Sequence, residues 1–183
     1  MAIKSTICKA TLQVADMDRH YYADHALTIA RHPSETDERM MIRCLAFALN
    51  ASESLAFGKG LSDADEPDLW QRDLTGAIQL WIEVGQPDEK RILRACGRAD
   101  RVLVYAYSHS APLWWKPLAA KLERARNLSV ISIAAPTSAA LSKLADRAMD
   151  LQCTLHEGEI WMRNERDAVQ IEMTTLMAPP AER

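Results

Sequence analysis

Asp68 and Glu83 are the residues of this chain whose types and spacing could do chemistry. Asp68 follows Pro67 at the mouth of a short run with strand character, Leu69 to Asp73. Glu83 stands near the end of a second such run, Ile78 to Val84, and Thr75-Gly76 supplies the turn between them. Counted back from that turn, the two acids fall at the same distance along adjacent strands to within a residue or two, so a tight hairpin makes them neighbours. Magnesium takes oxygen donors in octahedral geometry and keeps several waters. Two carboxylates with the Val84 carbonyl as a third ligand meet that demand, and manganese is the alternative ion. A bound ion of this kind activates a water and stabilises charge developing on a scissile phosphate, which is the chemistry of phosphodiester cleavage.

A structural reading of the same residues stands beside the chemical one. Proline before a strand is common at sheet edges, and Asp68 could cap a turn. Glu83, flanked by Trp81, Ile82 and Val84, sits near the core and needs a partner there. An ion pair to Arg72, Arg91 or Arg94 would satisfy it.

The elements that must position these acids are legible as periodicities. Cys8, Ala10, Leu12 and Val14 alternate with polar residues, as do Tyr21, Ala23, His25, Leu27 and Ile29, with Asp16 to Arg19 between them. Two period-two runs around an acidic turn predict a long β-hairpin. Pro33-Ser34 opens a helix with Ser34 as N-cap, and the apolar stripe of Met41, Leu45 and Ala48 carries it to about Phe57, where Gly58 and Gly60 stop it. After the acid-bearing hairpin, a helix is expected from about Asp88 to Gly97 and a buried strand at 102–107. A further helix follows at 113–126, then a strand at 128–134 and a helix at 138–149. The remaining run from Leu151 to Met173 has the alternation of an antiparallel meander with turns near Glu157-Gly158 and Asn164-Glu165, and APPAER closes the chain as a tail.

The bulk numbers set the frame. A chain of 183 residues with 48% apolar and 26% charged residues has ordinary globular composition. No apolar stretch approaches the roughly 20 residues needed to span a bilayer, and the amino-terminal run carries lysines within its apolar pattern rather than a signal-peptide core. A cytoplasmic protein without a membrane partner is therefore expected. The four cysteines, at 8, 44, 96 and 153, contain no C-x-x-C and suit reduced core thiols. A net charge of −3 argues against a surface that grips nucleic acid over its whole area, while leaving room for a local basic cleft.

Three stretches together resemble a known family: DEPDLW, TG, WIE and GQPDEKR within 65–91, HPSETDERMMIR at 32–43, and VYAYS with the tryptophan pair at 104–115. They are similar to the YaeQ family, bacterial proteins whose fold is a compact variation on the PD-(D/E)XK nuclease core. The match runs through most of the chain. The resemblance implies that fold, its metal-site geometry and a nuclease ancestry, without naming a substrate. Carried over, the P-D element is Pro67-Asp68 and the acid of the E-x-K element is Glu83. The lysine position is Gly85, which has no side chain. Gln86 could hold the attacking water without supplying charge, and Lys90, early in the following helix, has a stem long enough to reach back. The nuclease core also places a strand between its first helix and the P-D strand, where this sequence has FGKGLSDADEP, so the amino-terminal hairpin is expected in that place.

The expectation is thus one α/β domain over 1–183, a mixed sheet flanked by helices with added antiparallel strands. Its function would be magnesium-dependent phosphodiester cleavage in nucleic acid, with Asp68, Glu83 and Val84 on the metal and Gln86 or Lys90 assisting. The alternative is a non-catalytic member that binds nucleic acid or protein on the same fold.

Overall fold

The structure is a computed structural model and describes residues 4–181. The first three residues of the expected 1–183 domain and the last two of the APPAER tail lie outside them. The fold is α/β, with two mixed sheets flanked by helices, and the described residues gather into two compact units. One comprises the chain up to residue 51 together with 136–172; the other comprises 52–135 and the chain from residue 173.

In the first unit the expected hairpin is present. Strands β1 (Thr6–Asp16) and β2 (Tyr21–Arg31) pair antiparallel in one unbroken register around a turn at 17–20. Their alternation buries Cys8, Ala10, Leu12, Val14, Leu27 and Ile29 on one face, as a half-covered sheet requires. Helix α1 (Asp37–Leu49) follows, buried from Met40 through Ala48. It is shorter than the expected 34–57 at both ends. Thr36, not Ser34, is the N-cap and accepts from the Arg39 amide. Asn50 closes the far end, its amide bonding the Phe47 carbonyl and its side chain the Ala46 carbonyl, so the helix stops well before Gly58.

The motif HPSETDERMMIR finds its physical reason here. Glu35 lies buried beneath the first turns of α1 and receives both Nε and Nη2 of Arg43, at 2.7 and 2.6 Å, plus Nη1 of Arg39 at 3.0 Å. A second Arg43 contact reaches the Ala30 carbonyl of β2. This charged cluster ties the helix to the hairpin.

The remaining strands of this unit are β8 (Ala148–His156), β9 (Glu159–Arg163) and β10 (Ala168–Gln170), in the sheet order β10-β9-β8-β1-β2. β8 runs parallel to β1, and the other neighbours are antiparallel. The expected helix at 138–149 is corrected accordingly. α4 (Ala135–Ser142) is short, and Ala148-Met149 already belongs to β8, where Met149, Leu151, Cys153 and Leu155 are buried by strand alternation. Pairing with β1 overrides the weak helical pattern of those residues.

In the second unit the sheet order is β11-β7-β6-β5-β4-β3. Its members are β3 (Leu55–Phe57), β4 (Leu69–Arg72), β5 (Ile78–Val84), β6 (Ala99–Tyr107), β7 (Leu128–Ile133) and β11 (Met173–Met177). β5, β6 and β7 are parallel, and both edges are antiparallel. Helices α2 (Glu89–Arg98) and α3 (Ala111–Leu122) supply Ile92, Ala95, Leu118 and Leu122 to one core with Trp81, Val102, Val104, Leu128 and Val130. Trp114 and Trp115 pack against that core, and the Trp114 indole donates to the Pro87 carbonyl. A short strand, β3, does stand between the first helix and the P-D strand, so the amino-terminal hairpin is not needed in that place. The carboxy-terminal run also divides, its last strand joining β7 rather than the meander.

Among the described residues no helix is long and apolar enough to cross a membrane. All four cysteines are free thiols. Burial pushes the Cys44 and Cys153 thiols up to about 12, and raises Cys96 as well. Because the thiolate is the reactive form, Cys96, the one of the four that is not fully buried, is expected to alkylate first. Peptide mass spectrometry after brief iodoacetamide treatment of native protein should show Cys96 modified and Cys8, Cys44 and Cys153 protected until denaturant is added.

Candidate functional site

The two acids meet on the β4–β5 hairpin. Leu69 pairs with Ile82 and Trp70 with Trp81, and Asp68 precedes the first of these pairs. Its amide donates to the Ile82 carbonyl at 3.1 Å and its carboxylate accepts from the Val84 amide at 2.8 Å, which sets it against the stretch of β5 that carries Glu83. Asp68 is thus bonded to both residues that flank Glu83. On the same sheet face the next pair, Trp70 and Trp81, meets edge to face.

Both carboxylates are enclosed, Asp68 at 1% and Glu83 at 3% exposure. The cover over Asp68 comes from the segment 58–67. Gly58 donates to the Asp68 carbonyl and Gly60 to the Pro67 carbonyl. Gly60 lies so close that a methyl group there would stand 2.6 Å from Asp68 Oδ1. Glu83 has two donors, the Trp81 indole at 2.8 Å and Arg91 Nε at 2.9 Å, and both converge on Oε1. Of the three arginines the sequence offers as partners, the fold therefore selects Arg91. Burial drives the Glu83 carboxyl above its ordinary range, repulsion from Asp68 adds to that, and the Arg91 and Trp81 bonds pull it back. The two carboxylates are therefore close enough to repel one another.

The following residues account for the absent lysine. Gly85 ends β5 with φ of +108° and donates to the Tyr105 carbonyl. A side chain there would have open space around its Cβ but a backbone conformation that L-residues rarely adopt. The backbone, rather than crowding, disfavours lysine at this position. Gln86 is exposed and gives its amide to Ser110 at 2.7 Å, with longer contacts to Ser108 and the Tyr107 carbonyl. Lys90 is exposed on α2, one residue before Arg91. The charge that the fold brings to the acids is that of Arg91, in the first turn of α2, whose backbone amide donates to the Asp88 cap at 2.8 Å and whose guanidinium reaches Glu83.

Among the described residues no group of three or more His, Cys, Asp or Glu side chains could hold a metal. What the site offers a hard cation is two carboxylates and a backbone carbonyl at Val84, a sparse oxygen set of the type magnesium completes with water. The donor types suit that ion, and the 58–67 segment lies against the Asp68 side of the site.

The sequence pattern of the YaeQ protein family matches residues 1–173. The chain belongs to the YaeQ family. It is 47% identical over 180 residues to the YaeQ protein of Salmonella typhi, and 44% identical over the same length to that of Escherichia coli K12. Each alignment covers 98% of this chain and 99% of the relative. The crystal structure of YaeQ protein from Xanthomonas axonopodis pv. citri superposes with a TM-score of 0.92 at 46% identity, covering 96% of this chain and 99% of that one. The YaeQ protein from Pseudomonas syringae gives 0.91 at 35% identity, covering 95% and 97%. Family membership secures the α/β architecture with its mixed sheets. The Salmonella and Escherichia relatives carry the description "Uncharacterized protein YaeQ".

Proposed function

We propose that this member of the YaeQ family is a nuclease-like phosphodiesterase of the PD-(D/E)XK type, acting on nucleic acid in the cytoplasm with magnesium, or manganese, bound between Asp68 and Glu83. The observation that supports the reading is the proximity of two enclosed carboxylates, Asp68 just ahead of β4 and Glu83 on β5, with helix α2 following directly. Asp68 and Glu83, with the Val84 carbonyl, would hold the ion, which when bound polarises a phosphodiester oxygen and activates water. Asp68 is pre-oriented by the Val84 amide and Glu83 by Trp81 and Arg91. Gln86 and Lys90 are the side chains proposed to steady the water or phosphate. Either would have to turn toward the acids when substrate arrives.

A second reading is favoured by a specific observation. Glu83 already has a counter-charge in Arg91 and both acids are closed off from solvent, which is how a structural acid pair is satisfied in a non-catalytic binding protein.

Calorimetric titration of manganese and then magnesium into the wild type, Asp68→Asn and Glu83→Gln separates the two. Cation binding by the wild type that each substitution abolishes is the expected result. Absence of binding by the folded wild type would favour the non-catalytic reading.

A further inference from the structure

Arg91 does more than neutralise Glu83. Its three kinds of guanidinium nitrogen point to three different places: Nε to Glu83 Oε1 at 2.9 Å, Nη1 to the Ala64 carbonyl at 2.8 Å and Nη2 to the Glu66 carbonyl at 3.0 Å. The residue between, Asp65, gives its carbonyl to Arg98 Nη1 at 3.0 Å and pairs its carboxylate with Arg94 at 3.5 Å. Three consecutive carbonyls, immediately ahead of Pro67-Asp68, are thus gripped by Arg91 and Arg98, which lie about two turns apart on one face of α2. Arg91 alone among them also reaches the acid pair. It joins the strand that carries the second acid to the loop that delivers the first.

The geometry at Glu83 gives that link a consequence. Trp81 and Arg91 both bond Oε1, so the carboxylate is fixed by one oxygen while Oε2 accepts no hydrogen bond from the described residues. A ligand that is anchored through one oxygen and presents the other is pre-organised for a cation, and partners of this kind hold metal ligands in many sites. Charge points the same way. Asp68 and Glu83 with Arg91 sum to one net negative charge, enough to attract a divalent ion without leaving two buried acids uncompensated.

We propose that Arg91 is the positioning residue of the cation site, setting the Glu83 carboxylate through Oε1 and tying the 64–66 loop so that Asp68 is delivered opposite it. This rests on the cation-site reading above. A simple counter-ion would behave in the opposite way, because a positive charge beside the acids repels a second cation and its removal would tighten binding. The sign of the effect therefore decides between the two roles. Lysine sharpens the comparison, since it keeps the charge but cannot reproduce a planar fork that serves three acceptors.

The test is manganese affinity, measured by calorimetry and by electron paramagnetic resonance of the free ion, in wild type, Arg91→Lys, Arg91→Met and the control Arg94→Gln. Arg94 holds the same loop through Asp65 without touching Glu83. Circular dichroism and urea unfolding confirm that each variant is folded at the titration temperature. Weakening by about tenfold or more in both Arg91 variants, with Arg94→Gln within about twofold of wild type, supports positioning. Unchanged or tighter binding in folded Arg91→Lys and Arg91→Met overturns it while leaving the cation site standing, as does a loss of stability without a change in affinity. Equal weakening in Arg94→Gln overturns it in favour of a general effect of the loop. No manganese binding by the wild type overturns both the positioning role and the cation site.

Discussion

Glutamine in place of Glu35 is expected to lower the stability of the protein by about 3–5 kcal/mol, the usual cost of removing one partner from a buried ion pair. The Glu35 and Arg43 side chains are 1% and 6% exposed, and two bonds of 2.6 and 2.7 Å run between them. Without the carboxylate, Arg43 keeps a full charge away from water with the Ala30 carbonyl as an acceptor. Arg39, 13% exposed and also bonded to Glu35, loses that ion pair at the same time. At roughly 2–4 °C per kcal/mol for a chain of this size, calorimetry should find the melting temperature reduced by about 6–20 °C. The double variant Glu35→Gln/Arg43→Met removes the stranded charge and should recover a large part of the loss. A single variant that melts within about 2 °C of wild type would mean that water reaches this cluster and solvates Arg43.

The second large effect is expected at Gly58. Its amide bonds the Asp68 carbonyl, and the two chain segments pass so closely that an added Cβ would stand 2.2 Å from the Pro67 carbonyl oxygen and 3.2 Å from its carbon. The obstacle is backbone, which cannot rotate aside as a side chain can. Gly58→Ala should therefore force the 58–62 segment away from 67–68, at about 3 kcal/mol, the upper part of the usual range for overpacking. Urea unfolding measures the loss. Amide exchange should show faster exchange at Asp68 and Gly58 than in wild type, while Val104 and Val130 in the parallel strands stay protected. Unaltered exchange at 58 and 68 would mean that the segment accommodates the methyl by a local shift and that its close approach does not hold Asp68.

These two sites also show what kind of information the sequence carries. The β1–β2 hairpin, the β4–β5 hairpin and the buried runs of β6 and β7 follow from alternation and turn residues, signals that lie within a few positions of one another. The same locality makes Asp68 and Glu83 neighbours, because a tight hairpin fixes its own register. Helix ends are less legible. Ser34 and Thr36 are both good caps by composition, and the choice falls to Thr36 because Glu35 has to turn inward to Arg43, eight residues on. The strand at 148–156 is legible from Leu151 onward, but its start and its pairing are hidden for a related reason: its partner, β1, lies at the other end of the chain, and no local pattern announces a parallel pairing of that separation.

The site divides along the same line. By itself the sequence determined that two acids would share one face of a hairpin and that no side chain would follow at position 85. Only the tertiary structure decided which arginine reaches Glu83, that the same guanidinium holds the carbonyls of 64 and 66, and that Gly60 closes over Asp68. Those decisions belong to contacts between α2, the 58–67 loop and β5, where several arginines of equal charge compete and helix phase picks one. Charge and spacing along a chain state which partners are available. The direction in which a helix presents them is settled when it packs on its sheet.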